Sequence, residues 1–244
     1  MTPLDFSSFS PALVITTVVG LALAPFVAVM VTSFTKIVVV ISLLRNALGL
    51  QQTPPNVVIN GLAIILSIYV MYPVILDTMA DIARGGPAPQ SQTQAPYPAA
   101  AQAAPAASAA PERMSVDKLA QMINVGKEPL RQFLIKHSHE RERKFFLESA
   151  KRLLTPEQQK GLGADDFIVV MPAFTVSELT EAFQIGFLLF LPFVVIDLIV
   201  SNILLALGMM MLSPTMVSLP FKLLLFVILD GWAKLIHGLV ATYQ

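Results

Sequence analysis

The sequence predicts an all-α protein built of membrane-associated helical hairpins. Three observations carry that expectation. Of 244 residues, 55% are hydrophobic and 13% charged, against about 25% charged in an ordinary soluble domain. Two arms of the chain contain charge-free runs longer than the roughly 20 residues a helix needs to cross a bilayer. The charge is gathered between them: residues 84–166 hold twelve of the sixteen Lys/Arg and nine of the sixteen acids. That segment is positive and the two arms together are negative, so the chain is neutral overall. Neutrality removes the basic footprint that nucleic-acid binding needs. The absence of cysteine excludes disulfides, thiolate metal sites and cysteine nucleophiles.

The first arm, residues 1–83, is uncharged from Phe6 to Thr35 and again from Asn46 to Leu76, with Lys36 and Arg45 between. Gln51-Gln52-Thr53-Pro54-Pro55-Asn56 reads as the turn of a helical hairpin, because two prolines cannot continue a helix. The N-terminus has no basic n-region and too long an apolar run for a cleaved signal, so it reads as retained. Lys36 and Arg45 favour a cytoplasmic turn, which puts the charged insert on the opposite, extracytoplasmic side.

Residues 84–114 are a Pro/Ala-rich linker, uncharged over Gly85–Pro111. Residues 115–166 read as a small helical insert. Leu119, Met122, Ile123, Leu130, Phe133 and Leu134 recur at helical spacing, and Pro129 marks the first turn of a second short helix. A further helix covers Glu140–Leu154. Thr155-Pro156-Glu157-Gln158 has an N-cap, a first-turn proline and a capping-box glutamine. Residues 167–244 form the second hairpin, with breaks expected at Ser213-Pro214 and Leu219-Pro220.

Catalytic patterns are sparse. His137 and His139, two apart on a helix, point about 200° from each other and cannot share a metal. No phosphate loop, HExxH or GxSxG occurs, and nothing implies a metal or cofactor. Asp197 and Asp230 admit two readings: an intramembrane aspartyl pair, or one proton-coupling group of a self-contained transporter. Acids and lysines in apolar helices need partners. Asp230 and Lys234 are i,i+4, the acid-first order that pairs on a helix. Lys222 is expected to meet Glu178 or Asp197, within or between subunits, or else these charges neutralise locally near water.

Met209-Met210-Met211, between Gly208 and Ser213-Pro214, reads as an interruption of the helix. Its methionines either fill apolar space or form a deformable apolar constriction, the kind that closes a pore by dewetting. Gly20, Ala24 and Ala28 leave one helix face open to close approach.

Pro172-Ala173-Phe174-Thr175-Val176-Ser177-Glu178-Leu179, followed by Ala182-Phe183-Gln184-Ile185-Gly186-Phe187, resembles the first signature of the FliP/SctR family of type III secretion. Pro220-Phe221-Lys222-Leu223-Leu224-Leu225-Phe226 with Asp230-Gly231-Trp232 resembles the second. Thr32-Ser33-Phe34-Thr35-Lys36 and Leu43 to Gly49 are also typical of the family. The methionine run and the retained N-terminus resemble the injectisome (SctR) branch more than the flagellar (FliP) branch.

The resemblance implies a core export-gate subunit in the bacterial inner membrane, assembled toward the periplasmic side of a secretion basal body. It implies a homo-oligomer of several copies, five by the family's pattern. Partners would be SctS/FliQ-type and SctT/FliR-type subunits, with SctU/FlhB-type and SctV/FlhA-type components. Unfolded secreted proteins would be the cargo, and partners would supply the energy, so the chain itself is not expected to be an enzyme. The same resemblance makes Met209, Met210 and Met211 the pore gasket. It makes Phe174, Glu178, Phe183, Asp197, Lys222 and Asp230 assembly contacts.

Overall fold

A computed structural model describes residues 11–50, 53–84, 116–159, 161–209 and 211–244. The expectations for the Pro/Ala linker, for Gln51 and Gln52 and for Met210 fall outside them. The described residues form eight helices: α1 (Pro11–Met30), α2 (Phe34–Ala47), α3 (Asn56–Arg84), α4 (Val116–Lys136), α5 (Glu140–Leu153), α6 (Phe167–Ala206), α7 (Pro214–Ile228) and α8 (Gly231–Ala241). The all-helical class expected from the sequence is what forms.

Met1–Tyr72 with Leu134–Gln244 make one compact unit, and Pro73–Phe133 the other. The first is organised on α6, whose 40 residues measure about 60 Å at 1.5 Å per residue. Along its first half Val169, Val170, Ala173, Phe174, Ser177 and Glu178 are buried, spacings of one, three and four that mark one helix face. Gly186, Phe193 and Val200 continue the stripe at intervals of seven. Onto it α2 lays Ile37, Val40, Ile41 and Leu44, each at most 1% exposed. Gly186 permits this approach: a Cβ there would collide with Leu43 of α2. α5 packs on the first half of α6 and α7 on the second, while α8 packs on α7. In the other unit Gly126 of α4 lies close to α3, where a Cβ would come within 3.2 Å of Ile82.

Helix ends follow local chemistry. α2 and α6 both end in a paired motif closed by a glycine in the left-handed region. Gly49 (φ 80°) and Gly208 (φ 72°) occupy the position where a side chain would be strained. Beyond Gly49, the Leu50 N–H donates to the Arg45 carbonyl at 3.2 Å; beyond Gly208, the Met209 N–H donates to the Leu204 carbonyl at 2.9 Å. Pro214 opens α7 after the cap residue Ser213, as its fixed φ favours.

α1 and α2 meet at a 59° bend across residues 31–33. Three expectations are corrected. Pro129 lies inside α4. Its lost N–H bond does not end the helix, since Phe133 and Leu134 beyond it are buried. Leu219-Pro220 is not a break either: α7 runs through Pro220 because Ser218, Lys222 and Phe226 keep one face against the core. Thr155 does meet Gln158, its N–H donating to Oε1 at 3.2 Å, yet only a turn follows. One capped turn does not offset the cost of helix nucleation, and Gly161 (φ 96°) closes it.

Candidate functional site: two buried charge clusters and a methionine loop

The first cluster sits where α2 crosses the first half of α6. Lys36, 1% exposed, places its Nζ 3.0 Å from Glu178 Oε1 and 2.6 Å from Glu181 Oε2. The Tyr243 hydroxyl, arriving from the end of α8, donates to the other oxygen of Glu178. Lys36 Nζ also lies 4.4 Å from the Tyr243 ring centroid, within the range of a cation–π contact. The α4–α5 turn completes the cluster. His139 donates its backbone N–H to Ser177 Oγ at 2.8 Å and brings Nε2 to 3.4 Å from Glu181. The His137 ring stands 5.1 Å from that of Tyr243.

Burying such charges costs several kcal/mol per ion unless each is paired; here Lys36 pairs with both glutamates and Tyr243 bonds Glu178, groups drawn together with the histidine turn from four segments. Its environment is legible in the outlying groups. Burial, then the Lys136 and Lys36 cations, hold His137 down at about 4. Burial and the Glu178 carboxylate push the Tyr243 phenol well up, so it stays a donor.

The second cluster ties the second half of α6 to α7 and α2. Lys222 Nζ is 2.7 Å from Asp197 Oδ2, and Ser218 Oγ donates to Asp197 Oδ1 at 2.5 Å. Lys222 also donates to the Ala47 carbonyl at 3.2 Å. That carbonyl belongs to the last turn of α2, where a cation is favoured by the helix dipole. Of the two partners the sequence left open for Lys222, the fold brings it to Asp197. Glu178 takes Lys36 instead.

The remaining sequence-derived residues separate by exposure. Phe174 is fully buried and Phe183 is 58% exposed. Asp230 is an exposed left-handed residue (φ 50°) at the bend between α7 and α8, a conformation aspartate tolerates. It is eight residues beyond Lys222, which holds Asp197, or about 12 Å along helix, and the fold does not bring the two aspartates together. Asp230 and Lys234 form no ion pair. Only their backbones meet, Lys234 N–H donating to the Asp230 carbonyl at 3.1 Å. His137 and His139 lie between α4 and α5, not on a helix. Among the described residues no three His, Asp or Glu side chains converge as a metal site.

Met209 and Met211 lie in the connection between α6 and α7, as the flanking Gly208 and Ser213-Pro214 predict. Met211 is fully exposed, Met209 47% and Met216 73%. Gly20, on the small-residue face of α1, has no neighbour within 4 Å of a would-be Cβ.

Sequence reasoning missed Lys36, Glu181 and Tyr243 as members of one cluster. Lys36 had a signal, since a lone lysine ending an uncharged run demands a buried acid. Treating it as a turn charge was the error; it is inside, which leaves Arg45 as the basic residue of that turn, where it donates to Asn56 Oδ1 at 2.6 Å. Tyr243 carried no local signal.

These features define a class: a helical membrane protein, charged groups tied inward and apolar side chains outward. Among the described residues α3 and α6 are long and apolar enough to cross a membrane, and there are four spans if each bent pair, α1–α2 and α7–α8, is one. The chain belongs to the FliP family, which it matches over residues 17–239. It is 49% identical over 223 residues to the "Yop proteins translocation protein R" of Yersinia pestis, covering 91% of this chain and 92% of that one. It is 46% identical over 231 residues to the "Hypersensitivity response secretion protein HrcR" of Ralstonia nicotianae, covering 93% and 94%. The "Pathogenicity-related ORF2" of Xanthomonas campestris pv. glycines is 47% identical over 233 residues, covering 96% and 97%.

Proposed function

We propose that this chain is a core subunit of a type III secretion export gate of the injectisome type, lining the portal through which unfolded proteins leave the bacterial inner membrane. Family membership and the secretion and translocation names of the relatives support the class. The observation that carries the reading is the α6–α7 loop: methionines fully or half exposed at the tip of an apolar hairpin, where a soluble protein would place polar residues.

In this reading several copies, five by resemblance, stand side by side with the SctS-type and SctT-type subunits, and the SctU-type and SctV-type components act with them. Met209, Met210 and Met211 from each copy meet at the axis. Flexible thioethers close a dry constriction and yield to a passing chain. Glu178, Lys222 and Asp197 serve assembly by fixing α2, α6 and α7 in the shape the neighbours meet. Phe183 and Asp230 are outward groups available to the neighbours. In this reading partners supply the energy and the chain is not an enzyme, with Asp197 held by Lys222 and Ser218 as a structural group.

The test is ion leak through the assembled gate. Replacing Met209, Met210 and Met211 together by alanine raises conductance at rest while the complex still purifies intact. Unchanged leak in an intact complex contradicts the gasket.

A further inference from the structure

An apolar cavity of about 390 Å³ lies between α2, α6, α7 and α8, within the roughly 300–1,000 Å³ of small-ligand sites. Its wall is apolar, with Leu44, Ile185, Phe193, Phe226, Leu235 and Leu239 among the lining side chains. Such a lining does not hold ordered water, which needs two or more polar partners. Two polar side chains stand at the wall. Thr242 is occupied, its hydroxyl donating to the Leu239 carbonyl at 2.7 Å. Lys234 is exposed and, unlike Lys36 and Lys222, pairs with no carboxylate among the described residues.

The cavity is therefore an apolar slot with one uncompensated ammonium beside it, placed between segments long enough to cross a membrane. A lysine in such a segment is costly in hydrocarbon unless it pairs or snorkels, and its stem can lie along apolar surface while the head reaches the headgroup level. We propose that this cavity binds an anionic phospholipid, one acyl chain in the slot and the phosphate on Lys234. Charge complementarity selects the occupant: an uncharged apolar side chain from another subunit would fill the slot and leave Lys234 unpaired. Gly238 lines the slot, and a Cβ there meets nothing within 4 Å, so there is room for a larger side chain at that position.

Trp232 is the one tryptophan in the chain, and its ring centroid is 5.5 Å from that of Phe226 in the wall. Its fluorescence therefore reports on the slot. The full chain in neutral detergent is titrated with phospholipid brominated on its acyl chains. Brominated phosphatidylglycerol quenches Trp232 saturably, at about fivefold lower concentration than brominated phosphatidylcholine, the advantage one lysine gives at an anionic surface. Lys234→Gln removes that preference. Gly238→Leu, which fills the slot and adds a better helix former, removes quenching by both lipids with helix content by circular dichroism unchanged. Soluble glycerol phosphate does not relieve the quenching.

Equal quenching by the two lipids, or a preference that survives Lys234→Gln, overturns the proposal. Relief by glycerol phosphate assigns Lys234 to a free anion and overturns it too. Loss of the quenching when the chain is co-purified with partner subunits assigns the slot to a protein and does the same. None of these readouts depends on secretion.

Discussion

Lys36 is the residue on which the first half of the bundle turns. It touches Glu178 and Glu181 of α6 and the Tyr243 ring, so one ammonium holds three segments. Lys36→Met leaves Glu178 buried without its cation and costs about 3–5 kcal/mol. Adding Glu178→Leu recovers at least half of that loss, because a buried pair can be replaced by apolar side chains at little cost. Thermal unfolding in detergent measures both; a tolerated Lys36→Met means the cluster is not the tie. His137 gives a pH test at the same place. Its value of about 4 lies below the ordinary 6.5, so between those values the unfolded chain binds the extra proton and folding stability falls as pH falls. His137's contribution is complete above about pH 6.5 and lost as pH drops through 4. The groups facing it are Lys136, Lys36, Glu181 and Tyr243. His137→Asn is expected to flatten the melting temperature over that window, and an unchanged slope refutes the assignment.

At the scale of elements, the α2–α6 contact depends on one missing side chain. A Cβ at Gly186 collides with Leu43, so Gly186→Ala overpacks the contact and costs about 1–3 kcal/mol. Leu43→Ala in the same chain restores most of the loss, a compensation seen as recovered urea midpoint. If the pair is additive, the helices do not meet there as described. What was legible in the sequence at this scale was the punctuation that works through backbone geometry. Gly208 and Ser213-Pro214 end and start helices where expected, because a left-handed residue or a first-turn proline acts locally. Pro129 and Pro220 misled for the converse reason. A proline removes one hydrogen bond, and packing by Leu134 in one case and by Ser218 and Lys222 in the other outweighs that loss. The charge clusters were half legible. The rarity of charges in apolar runs marked Lys222 as needing Glu178 or Asp197, and only the fold selects Asp197. The meeting of Lys36, Glu178 and Tyr243 joins residues up to 207 positions apart in the numbering, which no periodicity encodes.

For the whole molecule, the low charge changes meaning once the clusters are seen. Few ionic groups remain outward on α6 and α7, whereas Phe187, Leu188, Leu198, Phe221, Val227 and Ile228 are all more than half exposed. An apolar exterior of that extent is covered by lipid or by other subunits. We read it as the surface of a subunit among subunits, with the clusters making each copy rigid enough to pack and the methionine loops meeting at the centre. The most direct measurement is the mass and shape of the particle formed when the chain is expressed with SctS-type and SctT-type partners, read by electron microscopy and native mass spectrometry. The account predicts one large closed complex with several copies of this chain and both partners. A chain that stays monomeric in detergent, with the partners purifying apart from it, contradicts the account.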